Sequence, residues 1–444
     1  MKITTPRTPA KSVQRFNTFH AFENPSFRLL WTANFASYTA RWMQVTLLVW
    51  FVLDLTDSPW KVSLVGFFSM APLLVLGPIG GVLADRINRQ RTLLATHLLN
   101  LVAALVMTVL LFSGREVYWH AYIVIVATGT GWSLDNPARR SLILDLVGRS
   151  TVTNAIALDS TSMHSSKLAG PLAAGVLIAA IGVGGGYVLV SLLYIVSVLL
   201  LWLLGSSGQV RSAAASQRKR YEGSSRAPGL GGIFSNLWEG FQYAKSSPTT
   251  LAVLSITVVM NLLLFPYLQM VPVVARDELG VGPLLIGVLM AGDGVGALVG
   301  GIVIASIPSL RYHGRFFMGG SLLAMVALLG FSLSQSYMLS FPALLFLGVG
   351  VAGFSTMQST IVMLVAPEQM RGRALGIVTL AIGAGPIGAL IVGGLSAAKG
   401  APFALGLLAA VGVACIGLVG LTMPALRRQI MPDPGVSAVQ LADN

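Results

Sequence analysis

The sequence predicts an all-α membrane protein of twelve transmembrane helices in two pseudo-symmetric six-helix bundles, and three observations carry that prediction. The 444-residue chain is 55% hydrophobic and only 10% charged, with a mean hydropathy of +0.77, where a soluble domain carries about a quarter charged residues. Twelve stretches recur at the length of about 20 mainly apolar residues that a helix needs to cross a bilayer. A polar Ser/Gly/Arg-rich segment divides them six and six.

Lipid leaves backbone N–H and C=O groups without partners, so each stretch has to satisfy them within a helix. The spans are expected at residues 28–53, 62–84, 92–113, 119–139, 154–181, 185–205, 249–274, 283–307, 316–335, 338–364, 374–397 and 402–425. The layout is then a cytoplasmic segment 1–26, a first bundle 27–206, a cytoplasmic linker 207–247, a second bundle 248–426 and a cytoplasmic tail 427–444. The 49 glycines suit helices that approach closely without a hydrophobic force between them.

Orientation follows from the excess of Lys and Arg that cytoplasmic loops hold. With both termini inside, only Lys61, Arg115, Arg276 and Lys399 fall on the far side and Arg41 and Lys167 within helices, leaving 23 of the 29 Lys and Arg to the cytoplasm. The polar start with Lys2, Arg7, Lys11 and Arg15 has no signal-peptide pattern, so the first span is expected to stay in the mature chain.

Charge and cysteine usage exclude other classes. The net charge of +13 is spread over loops rather than gathered on one solvated face, which gives no nucleic-acid footprint. Cys415 is the single cysteine and reads as packing. There is no H-E-x-x-H, nucleophile elbow, P-loop or Cys/His metal spacing, so no enzyme, metal or cofactor is expected. The expected partners are a small-molecule substrate, protons and the lipid bilayer, with the chain a monomer in a bacterial-type inner membrane.

Inside the linker, Ile233, Leu237, Phe241 and Ala244 recur at helical spacing, flanked by Phe234 and Trp238. Such a helix lies along the membrane surface or stands as a solvated linker helix, and the sequence leaves both open. The halves also echo each other. "LVLGPIGGVLAD" (74–85) and "GVGALVGGIVIA" (294–305) superpose Gly80-Gly81 on Gly300-Gly301, and "LILDLVGR" (142–149) meets "IVMLVAPE" (361–368) at nearly the same offset, the mark of a repeated bundle.

The strongest local motif, "GGVLADRINRQR" (Gly80 to Arg91), closes the second span. It resembles the G-x-L-A-D-R-x-G-R-K signature of the major facilitator superfamily at Gly81, Leu83, Ala84, Asp85, Arg86 and Arg89. Asn88 stands where glycine is usual, and asparagine tolerates the left-handed turn glycine would make. The loop "VAPEQMRGRAL" (365–375), with "WMQ" (42–44), "DLTDSPWKVSLVGF" (54–67) and "NPARRSLILDLV" (136–147), is similar to the branch holding the enterobactin exporter, macrolide efflux proteins and transmembrane secretion effectors. That likeness runs from residue 27 to about 425.

The resemblance implies a cytoplasmic gate. Asp85 would face the positive end of span 11, with Arg86 and Arg89 on acids or carbonyls nearby. Arg371 and Arg373 would sit beside Asp85 and Glu368, with Arg139 and Arg140 as counterparts in the first half. Charges that serve topology alone are the alternative. In span 5, "SKLAGPLAAG" (166–175) resembles the antiporter signature g-x-x-x-G-P-x-x-G-G at Gly170, Pro171 and Gly175, with Ser166 and Ala174 for two glycines. Small residues and proline there predict a kinked helix with a smooth face for the opposite bundle. The arginine that drug–proton antiporters often carry within span 4 is missing from "AYIVIVATGTGWSL" (121–134).

Four ionisable residues fall near mid-membrane, namely Arg41, His164, Lys167 and Asp293. A charge there costs about 2.5–3.5 kcal/mol on insertion scales and marks a functional candidate. Ser160, His164, Lys167, Pro171 and Ala174 share one face of span 5. Asp293 is expected to pair with Lys167 or with Arg41, and to carry the proton while Lys167, Arg41 and His164 serve as partners or substrate contacts. A static ion pair holding the bundles together is the alternative. His97 reads as packed, Asp135 as paired with Arg139, and Asp159 as hydrated at the cytoplasmic side.

The resemblance thus implies a secondary active transporter that exports a drug, siderophore or other secondary metabolite by alternating access driven by the proton gradient. The alternative is an importer or facilitator of a small metabolite, and a membrane enzyme or channel is disfavoured.

Overall fold

The computed structural model describes residues 19–86, 88–208, 230–307 and 312–429, with the side chains of residues 77–86, 149, 230–234, 236 and 368 outside the description. Every regular element among the described residues is helical.

The first half opens with α1 (Pro25–Thr56), α2 (Pro59–Arg86) and α3 (Arg89–Ser113). Asn24 starts α1 by accepting the amides of Ser26 and Phe27 just ahead of Pro25, the usual N-cap chemistry. A single helical run, Tyr118–Gly205, follows and is broken where Gly148 (φ 72°) and Gly182 (φ 75°) leave the helical region. Only glycine takes that backbone without strain, so the run divides into α4 (118–147), α5 (149–181) and α6 (183–205).

Beyond the linker lie α7 (Leu230–Ser246), α8 (Pro248–Val259) and α9 (Tyr267–Asp277), the last two joined through a wide π turn at Met260–Leu264. Then come α10 (Pro283–Ala305), α11 (His313–Leu333), α12 (Tyr337–Val365), α13 (Arg371–Ile382), α14 (Gly385–Lys399) and α15 (Ala401–Thr422). Helices 1 to 6 pack largely on one another, as do α10, α11, α12 and α15, while α5 meets α10 and α2 meets α14 between the halves.

Nine stretches among the described residues are long and apolar enough to cross a membrane, and one of them, Ser150–Gly205, is 56 residues long. That stretch is bent at Gly182. α1 and α4 are helical but more polar, for they bury Asn34, Arg41 and Gln44 on one and Asp135 and Arg139 on the other. Large apolar side chains such as Val109, Ile123, Trp202, Ile302 and Leu421 stand exposed on outer faces, as expected where the surrounding solvent is lipid rather than water.

One local expectation is corrected. Asn88 does not enter the left-handed region; at φ −57° it caps α3, its Oδ1 accepting the Arg91 amide at 3.2 Å. Capping an orphan helical N–H favours that extended backbone over the turn a glycine would make. In α7 the inward row is Leu237, Gly240 and Ala244, and Phe241 stands 45% exposed. The small Gly240 lets the helix close on Arg373 and Ile377 of α13, turning Phe241 outward.

Candidate functional site

Asp293 sits in the middle of α10, 1% exposed. Its helix is held hard against α12, because a Cβ at Gly348 would collide with the Asp293 carbonyl oxygen. From the other half of the chain, Lys167 on α5 brings its Nζ to 2.6 Å from Asp293 Oδ2. The same oxygen accepts the Tyr267 hydroxyl at 2.5 Å. Asp293 Oδ1 is buried without a hydrogen-bond partner among the described residues.

Each partner is placed by local backbone. Lys167 Nζ also lies 5.7 Å from the Trp42 ring centroid on α1, and Gly170 one turn on admits Trp42 because a Cβ there would come within 2.7 Å of the Trp42 Cβ. Tyr267 opens α9 directly after the π turn, where the Phe265 amide reaches the Met260 carbonyl at 3.1 Å. π turns are frequent at functional sites because they re-aim the side chains that follow. His164 lies three residues before Lys167 and is half-buried.

Gly175 makes the contact between α5 and α10. A Cβ on it would stand 2.6 Å from the Pro283 carbonyl oxygen and 2.9 Å from Gly287 Cα, and one on Gly287 would stand 2.6 Å from the Pro171 carbonyl oxygen. Backbone thus meets backbone across the halves. Near the α1–α2 turn, Arg276 adds an ionic link: its Nη1 lies 2.8 Å from Asp57 Oδ1 and donates to the Leu53 carbonyl at 3.2 Å, and its Nε meets Asp277 at 2.7 Å.

Arg41 is not brought to Asp293. It belongs to a second buried cluster inside the first half, where it donates to the Thr128 carbonyl at 3.1 Å and lies over the Trp132 ring at 4.5 Å. Beside it Arg139 pairs with Asp135 and donates to the Tyr38 hydroxyl. Tyr38 in turn donates to Asp159 Oδ2 at 3.1 Å, and Asn34 Nδ2 donates to Asp159 Oδ1 at 2.7 Å. Asp159 is therefore buried rather than hydrated, because α1 supplies the donors that water would otherwise give.

His97, 1% exposed, joins this cluster as well. The Ser197 hydroxyl donates to the Ala33 carbonyl at 2.8 Å, so it accepts from His97 Nδ1 at 2.7 Å. That turns Nε2 toward Asp135 Oδ1 at 3.3 Å, a contact that needs one proton between the two atoms. A small cavity lined by Ser37, Arg41, Asn100, Trp132 and Tyr194 opens beside them.

Around the motif that closes α2, the side chains of Asp85, Arg86 and Glu368 lie outside the described residues, and Gly81 is described only as part of the α2 backbone. Arg89 pairs with Asp145 on α4. Arg373 pairs with Glu239 of α7 at 2.6 Å, and Arg371 Nε donates to the Ala366 carbonyl at 3.2 Å. Arg140 is exposed, whereas Arg139 is one of the most buried charges. Among the described residues no group of three or more His, Cys, Asp or Glu is placed to hold a metal ion.

Sequence reasoning missed Tyr267, Asp145 and the His97–Asp135 contact. The segments holding the first two, "NLLLFPYLQMVP" and "NPARRSLILDLV", stand out in the sequence, but spacing alone does not show which chain comes opposite.

Comparison with known proteins bears on the fold and the family. Solved structures share the fold: a POT family transporter in complex with 5-aminolevulinic acid superposes with a TM-score of 0.70 at 13% identity over 91% of this chain and 97% of the other. A bacterial homolog of the human lysosomal transporter Spinster, in an inward-facing and unoccupied conformation, gives 0.64 at 16% over 92% and 98%. Among curated relatives, the enterobactin exporter EntS of Shigella flexneri is 25% identical over 417 residues, 94% of this chain and 96% of that one. The uncharacterized MFS-type transporter YfiS of Bacillus subtilis (strain 168) is 25% identical over 303 residues, 68% of this chain and 66% of its own, and the staphyloferrin A transporter of Staphylococcus aureus (strain NCTC 8325 / PS 47) is 25% identical over 175 residues, 39% and 44%. The profile of the transmembrane secretion effectors matches residues 16–433, and with nearly the whole chain covered this protein belongs to that family of the major facilitator superfamily, a family of multi-pass membrane transporters and not of enzymes.

Proposed function

We propose that the chain is a proton-coupled exporter of a small organic molecule, working by alternating access across a bacterial inner membrane. α1, α4 and both parts of the bent stretch count as spans on this reading, which makes twelve, in two six-helix bundles joined by the linker, with both termini cytoplasmic and the monomer as the working unit. A siderophore is the substrate class favoured, since one full-length relative is named as an enterobactin exporter and another relative as a staphyloferrin A transporter.

The observation that carries the reading is the Lys167–Asp293 pair with its Tyr267 donor. It joins the two halves at a buried site, where an ion pair broken on one side leaves an uncompensated charge. A proton on Asp293 neutralises the carboxylate, removes the attraction that holds α5 to α10 and lets the halves part, leaving the Lys167 ammonium in need of a counter-charge. Lys167 is then free to meet an anionic group of the substrate, with His164 one turn away. The motif closing α2, together with Arg89, Arg371 and Arg373, serves as the cytoplasmic gate in this scheme. Arg139 acts from within the first bundle, by fixing α4.

Accumulation assays in cells lacking other exporters test this over a panel of siderophores and antibiotics. Cells with the native chain should retain less of the substrate, and more once the proton gradient is collapsed. Asp293→Asn should abolish the pH dependence and most of the transport; a native rate and profile in that variant removes the proton-carrier role. Gradient-dependent uptake instead of efflux selects the importer.

A further inference from the structure

The linker helix α7 presents three distinct faces, a pattern that follows from about 100° of rotation per residue. Leu237, Gly240 and Ala244 form the packed face. Gly240 closes on the Arg373 backbone of α13, and the Tyr243 hydroxyl donates to the carbonyl of Val365, the last residue of α12, at 3.2 Å. Next around the helix come Phe241, Lys245 and Trp238. Trp238 is 61% and Phe241 45% exposed, their rings stack at 5.9 Å, and the Lys245 ammonium reaches the Phe241 ring at 6.0 Å. Farther round lie Gln242, Ser235 and Glu239, with Ser235 donating to Glu239 at 3.1 Å.

A helix surrounded by water has no use for two stacked aromatic rings on one flank and a wholly polar flank beside it. The depth of α7 supplies the reason: it docks on the last turn of one apolar stretch and the first turn of another, Tyr337–Val365 and Arg371–Lys399, where both leave the hydrocarbon. That level is the headgroup layer, in which Trp and Phe bury their rings while a Lys amine stays with the phosphates. We infer that α7 lies in the membrane interface, its Trp238–Phe241–Lys245 face in the phospholipid headgroup–acyl boundary and its Ser235–Gln242 face in the cytoplasm. The helix thereby ties the start of α13 to the bilayer surface through the Glu239–Arg373 pair. The inference stands on the packing of α7 and is independent of how transport is driven.

Nitroxide labels test it without a transport substrate. In a Cys415→Ser background, Trp238→Cys, Phe241→Cys, Gln242→Cys and Ser235→Cys are each labelled and the protein is placed in vesicles of phosphatidylethanolamine and phosphatidylglycerol. Labels at 238 and 241 should collide more with oxygen than with a nickel chelate, at a depth of about 5–10 Å below the phosphates. Labels at 235 and 242 should show the reverse. Four labels that all favour the nickel chelate overturn the inference and make α7 a solvated linker helix. Each of the two aromatic positions is read with the other ring intact, and a label at the exposed, mid-helix Val102→Cys confirms in each preparation that the helices are inserted.

Discussion

Lys167 and Asp293, 126 residues apart in the chain, meet at 2.6 Å across the contact between α5 and α10. Asp293 is buried and Lys167 largely so, and the pair also joins the two halves of the molecule. Changing one partner therefore differs in kind from changing both.

Lys167→Met should leave the Asp293 carboxylate with Tyr267 as its one charge-stabilising donor among the described residues. A buried pair broken from one side loses about 3–5 kcal/mol. The double variant Lys167→Met/Asp293→Asn should recover most of that loss, since no net charge remains. Thermal unfolding of the purified protein in detergent reads both values, and equal losses in the single and double variants would show that the loss does not come from a stranded carboxylate.

Tyr267→Phe removes a hydrogen bond to a charged group and keeps the ring. The expected loss is about 1.5–3 kcal/mol, seen as a lower unfolding midpoint. Applied to Asp293→Asn, the same change should lose less, because the acceptor is then neutral. A double-mutant cycle between the two positions reports the difference.

Gly175→Val introduces a Cβ at 2.6 Å from the Pro283 carbonyl oxygen, where neither backbone has a side chain that could step aside. Overpacking of this kind costs about 1–3 kcal/mol. Gly372, whose Cβ position meets no atom within 4 Å, should tolerate alanine with little change. Comparable losses at both positions would mean that the close approach of α5 and α10 is not what Gly175 secures.

Arg139→Leu takes the guanidinium from Asp135, leaving it only the longer His97 contact among the described residues, and removes a donor from the Tyr38–Asp159 chain. Loss of folded protein should be larger than for Arg140→Leu, whose side chain is exposed. Expression in membranes followed by heating and fluorescence-detected chromatography ranks the two. An equal ranking would put Arg139 at the surface.

The helices were legible because lipid imposes a length, and each apolar run meets it whatever packs alongside. Lys167 and Asp293 stood out for a related reason: a charge in such a run has to find a partner, and few are available. Their pairing could be anticipated from the family's arrangement of spans, whereas that of Arg41 could not. The partners of Arg41 come from α4, where Trp132 and the Thr128 carbonyl look like ordinary helix residues in the sequence. Asp159 was misjudged because burial within a bundle depends on which face of a helix turns inward, and Asn34 and Tyr38 of α1 complete it there.

The π turn at Met260–Leu264 decides one further matter. A wide turn holds one residue more than an α turn, so removing it would swing everything from Tyr267 onward by about 100° about the axis. The phenol would then aim at a different neighbour, and the Asp293 carboxylate would lose a donor without any change in composition. Winding state in that helix and hydroxyl access to the carboxylate are thus one geometric variable.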